Sequence, residues 1–66
     1  MKVGEIKVES VFYNEEENKR TPICQIFKSE HRANTWIEWL KTQEDVISIT
    51  ATKQMEYGEE VFLCWW

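Results

Sequence analysis

His31 is the chain's one histidine, and Cys24 and Cys64 are its two cysteines. A nucleophilic pair needs a thiol or hydroxyl held against a base that a third group orients. His31 stands beside Arg32 at the start of a helical pattern and off that pattern's apolar stripe, so it reads as a surface side chain. A zinc site needs about four ligands and usually a short Cys or His pair. Cys24, His31 and Cys64 offer no such pair. The chain reads as binding no metal and as having no catalytic residue.

The acids are the other chemistry-bearing set. Twelve Asp and Glu against eight Lys and Arg give a net charge of −4. Glu15, Glu16 and Glu17 form a run, but no D-x-D-x-D-G calcium pattern accompanies it. Gly4 and Gly58 stand alone, so no glycine-rich phosphate loop is present and no cofactor is expected. The negative sign repels phosphate backbones, and the basic residues are scattered rather than gathered into a patch. Tyr13, Phe62 and Trp66 have rings that would stack unpaired bases on a sheet, but such sheets also carry a basic groove. Nucleic acid is therefore not an expected partner. The charge favours basic partners, or proteins whose surfaces normally bind DNA; it is also what an ordinary soluble surface carries.

Sixty-six residues read as a single domain over 1–66. A chain this short buries only about 60% of the surface it exposes when unfolded. Its 14% of aromatic residues compensates, because one buried ring hides roughly 150–250 Å². No apolar run approaches the roughly 18 residues of a membrane helix. "MKVGEIKVES" has no apolar stretch of a secretory signal. These features predict a cytoplasmic location, no membrane contact, and two reduced, buried thiols.

The elements that must position these residues follow from periodicity. In "KVGEIKVESVFYN", Ile6, Val8 and Phe12 alternate with Glu5, Lys7 and Glu9, as in a half-buried strand. Val11 and Tyr13 make its far face apolar near the end. The polar "NEEENKR" is an exposed loop longer than a two-residue turn. "TPICQIFKS" is a second strand, with Pro22 at its start or facing an edge. Ile23 with Phe27, or Cys24 with Ile26, is its core pair. Ser29 then caps a helix with Glu30 in its first turn. Ala33, Trp36, Ile37 and Leu40 form its stripe, Trp39 sits at the margin, and the end falls between Lys41 and Gln43. In "EDVISITATKQMEY", Ile47, Ile49 and Ala51 alternate with Ser48, Thr50 and Thr52 as a third strand. Gly58 marks a hairpin turn with Tyr57 and Glu59 near its tip, and "VFLCWW" is a fourth strand. The expected architecture is α+β, in the order β-β-α-β-β. It is a mostly antiparallel four-stranded sheet with one helix on one face.

The last strand poses the functional question. Strict alternation sends Val61, Leu63 and Trp65 to the helix side and Phe62, Cys64 and Trp66 to the other. A strand with one wet face should be polar on that face, and this one is not. An uncovered apolar face marks an interface. The predicted partner surface is Val11, Tyr13, Phe62, Cys64 and Trp66, on a non-enzymatic protein–protein interaction module. Such a module acts as a homodimer, for which one self-complementary patch suffices, or docks on a larger protein. The alternative is an acidic inhibitor that mimics DNA, with Glu15, Glu16, Glu17, Glu44, Asp45, Glu56, Glu59 and Glu60 in place of phosphates. By size and charge alone the chain is analogous to small phage-encoded proteins that disable host enzymes or defence systems.

Overall fold

The computed structural model describes residues 2–66, except the side chains of residues 64 and 65. Five main elements follow in order: strands β1 (Ile6–Asn14) and β2 (Lys19–Phe27), helix α1 (Glu30–Lys41), and strands β3 (Val46–Gln54) and β4 (Glu60–Trp65). A single 3₁₀ turn, Glu56–Gly58, joins the last two strands. The strands form one sheet in the order β2-β1-β3-β4, and every neighbouring pair is antiparallel. The expected α+β architecture and its element order are thus present. The outer strands, β2 of nine residues and the shorter β4 of six, are the sheet's two edges.

Each boundary has a local cause. The four-residue loop after β1 is closed by Asn14, whose Oδ1 accepts the N–H groups of Glu16 at 3.0 Å and Glu17 at 3.2 Å. Asn18 takes the left-handed conformation, φ 50°, which Asn tolerates better than most residues. Its Oδ1 accepts the Tyr13 hydroxyl at 2.6 Å. Ser29 precedes α1 with extended backbone, but its side chain makes no capping bond; its carbonyl accepts the Ala33 N–H instead, at 3.1 Å. The helix stops at Lys41, where Thr42 Oγ1 donates to the Trp39 carbonyl.

The core lies between α1 and one face of the sheet. Ile6 and Val8 of β1, Ala33, Ile37 and Leu40 of α1, and Val46, Ile49 and Ala51 of β3 are buried together. Phe12, Phe27 and Trp36 close its margin. Trp36 is therefore half-buried rather than central; its ring stacks on Trp39 at 4.9 Å and leans on Phe27 at 6.3 Å. The open choice on β2 resolves by register. Phe27 pairs with Ile6 and Ile23 with Ser10, both on the helix side, which leaves Cys24 and Ile26 on the open face. Pro22 sits inside β2 but on an edge strand, where a missing donor costs no ladder bond.

Two bulges break the expected alternation. Val11 pairs with Ser48 but Phe12 with Val46, so Ile47 is the extra residue. Ile47, which strict alternation sends to the core face with Ile49 and Ala51, is consequently exposed, and Val46 takes that core position in its place. On β4, Ala51 pairs with Cys64 but Thr52 with Phe62, so Leu63 is extra. One inserted residue reverses the face of everything beyond it.

Candidate functional site: the β4 edge

The helix lies across β1, β2 and β3 and leaves the outer strand uncovered. Val61 is 43% exposed, Phe62 69%, Leu63 44% and Trp66 49%. No described side chain of β4 enters the core. This corrects the expectation that Val61 and Leu63 are buried under the helix. Val61 pairs with Lys53, whose ammonium reaches Glu30 on α1 at 2.7 Å, so it stands on the helix side yet past the helix's reach.

The predicted partner residues do not share one face. Phe62 pairs with Thr52 and projects from the open face, as expected, and Val11 and Tyr13 lie on that same face of β1. Trp66 does not. Ile49 and Trp66 exchange both backbone hydrogen bonds, at 2.8 and 2.7 Å, and directly opposed residues point to the same side of a sheet. Ile49 is a core residue, so Trp66 belongs to the helix side. The Leu63 bulge is the reason. The side chain of Cys64 lies outside the described residues.

The open face is not one continuous apolar patch. Ile26, Cys24 and Phe62 are exposed on it and Val11 and Tyr13 half-exposed, but Lys7 and Glu9 lie between them and form an ion pair at 3.0 Å. The hydrogen bond to Glu9, with its negative charge, raises the Lys7 pKa above the ordinary lysine value. Ser48 and Thr50 add polar surface, and Thr52 is buried beside them. Cys24 is a free thiol, as predicted, but exposed rather than buried; its place on the outward face of an edge strand explains this.

The eight carboxylates of the DNA-mimic reading fall into two groups. Glu15, Glu16, Glu44 and Asp45 surround an open cleft with Phe12, Tyr13, Thr21 and Ile47, and the Tyr13 N–H bonds to the Asp45 carbonyl at 2.7 Å. Glu17 is in the adjoining loop. Glu56 and Glu59 line a second groove, with Val3, Lys53, Met55 and Tyr57, and Glu60 opens β4. The length of β1 separates the two groups, about 26 Å at the usual rise per strand residue. Among the described residues no three His, Cys, Asp or Glu side chains are placed to share a metal ion, and His31 is an exposed helix residue. None of the described helices is long and apolar enough to cross a membrane.

Two exposed residues carried no signal in the periodicity. Ile26 shows only once the face of β2 is known. Tyr57 is 97% exposed at the β3–β4 tip with φ 67°, a conformation in which non-glycine residues are uncommon. No family model, curated protein or solved structure compared with the chain matches it.

Proposed function

We propose that the chain is a small acidic protein-interaction module rather than an enzyme, and that β4 is the centre of its binding surface. The observation that carries this reading is the exposure of Val61, Phe62 and Leu63 on one uncovered edge strand, and of Trp66 just beyond its end. Large apolar side chains gathered at a surface lose free energy to water that a partner would recover. Aromatic rings are the side chains that dominate such contacts. The DNA-mimic alternative draws less support: its carboxylates gather at two ends of the molecule instead of forming a row along one face.

The test is affinity capture with the immobilised chain and with Phe62→Glu, each first shown to have the same far-UV circular dichroism. Retention of a protein by the parent and its loss with Phe62→Glu is the expected result. Retention that is equal for both overturns the assignment of the surface to β4.

A further inference from the structure

Resting on that reading, we infer that the occupant of the β4 edge is a second copy of the chain, added as an antiparallel strand so that two sheets become one. The two edges of the sheet are built differently. β2 carries Lys19, Arg20 and Pro22, the charges and the missing donor that keep edge strands from pairing. β4 has no Pro, Lys or Arg, and its Leu63 bulge carries no charge.

The backbone of β4 also presents free groups at a defined place. Met55 N–H bonds to the Glu59 carbonyl, and Trp66 exchanges both bonds with Ile49. Antiparallel partners alternate between inward and outward groups. Counting from either end, with Leu63 as the extra residue, turns the N–H and C=O of Glu60 and Phe62 away from β3. A twofold axis at Phe62 lets two copies exchange N–H···O=C bonds there and sets the two Phe62 rings side by side on the open face. It lays the acidic entry to each strand, Glu59 just before it and Glu60 at its start, against the apolar half of the other. Centring the pair on Glu60 would instead oppose like charges, which destabilises a strand pair. The edge route leaves the Lys7–Glu9 ion pair in water, whereas a partner laid over the open face would have to desolvate it.

The experiment compares the parent with a synthetic chain carrying N-methyl-Phe62, which keeps every side chain and removes one outward N–H. Sedimentation equilibrium is run at about 100 µM, where a micromolar Kd fills the dimer. The parent should be a dimer and the N-methyl chain at least tenfold weaker. In a mixed labelled and unlabelled parent sample, isotope-filtered NOEs should join Phe62 of one copy to Phe62 of the other; this measurement needs no variant to fold. A monomeric parent, an N-methyl chain that dimerises equally well, or a dimer without those NOEs each overturns the edge pairing. A monomeric parent that still captures another protein through Phe62 would sink the self-pairing alone and leave the interaction-module reading standing.

Discussion

Ile49 and Trp66 exchange both of their backbone hydrogen bonds, at 2.8 and 2.7 Å, and so tie β4 to a residue of the core. These are the last rungs of the β3–β4 ladder. Deleting Trp66 leaves the Ile49 N–H without its acceptor. A ladder bond contributes about 1 kcal/mol net, so the Ile49 amide should exchange with deuterium roughly fivefold faster. The Val8 amide, in the central strand, should be unchanged. Equal protection of Ile49 in both chains would show that the pairing is not formed.

The core prediction separates Leu40 from the aromatic pair beside it. Leu40 is fully buried, whereas Trp39 is about half exposed and stacks on Trp36 at the core's margin. Leu40→Ala should cost about 2–5 kcal/mol, enough to unfold much of so small a domain. Trp39→Ala removes a stacked ring, worth about 0.5–1.5 kcal/mol. Urea titration followed by circular dichroism orders the two, and a larger loss for Trp39→Ala would mean that the helix is rotated.

The contrast between the helix and β4 shows what the sequence could and could not carry. Ala33, Ile37 and Leu40 are legible because a helix repeats without interruption over its 12 residues. Strand parity is as regular until a bulge occurs. The face of Phe62 is read correctly because it precedes the bulge, and that of Trp66 is inverted because it follows it. Nothing in "VFLCWW" marks Leu63 as extra; there is no glycine, and the choice of bulge position depends on pairing with β3. Likewise Val46 and Ile47 are both β-branched and apolar, so their composition does not say which one is displaced. The separation of the acids into two groups is also a property of the topology: the α1–β3 loop is brought beside the β1–β2 hairpin, while the β3–β4 turn lies at the other end.

The Lys7–Glu9 pair gives a pH signature. The pKa of Lys7 is raised by its hydrogen bond to Glu9 and by that residue's charge. Because the folded value lies above the unfolded one, any stabilisation is fully present below the unfolded lysine value of about 10.4 and is lost as pH rises through the raised value. The pair is solvent-facing, so its contribution is small. An NMR titration of the Lys7 side chain should place its midpoint above that of the same lysine in Glu9→Gln. Coincident midpoints would show that the pair does not persist in solution.

Ser10 offers the sharpest test of how the core is assembled. It is 1% exposed on the helix side of β1, opposite Ile23 on one side and Ile49 on the other, and its Oγ has no hydrogen-bond partner among the described residues. A buried hydroxyl that gives up its water without a replacement bond costs about 1–3 kcal/mol. Alanine removes that oxygen and nothing else, so the void it leaves is smaller than one methylene group creates. Ser10→Ala should therefore stabilise the domain, by about 1 kcal/mol after the lost contacts are subtracted, which for a chain of this size raises Tm by roughly 4–8 °C. Ser10→Val adds volume at a position flanked by two isoleucines and should lose that gain through overpacking. Thermal unfolding of the three chains in one buffer gives the order. A lower Tm for Ser10→Ala than for the parent would mean that the hydroxyl is bonded in solution, and that the space between β1 and α1 is wetter than the packing of Ile6, Leu40 and Ile49 implies.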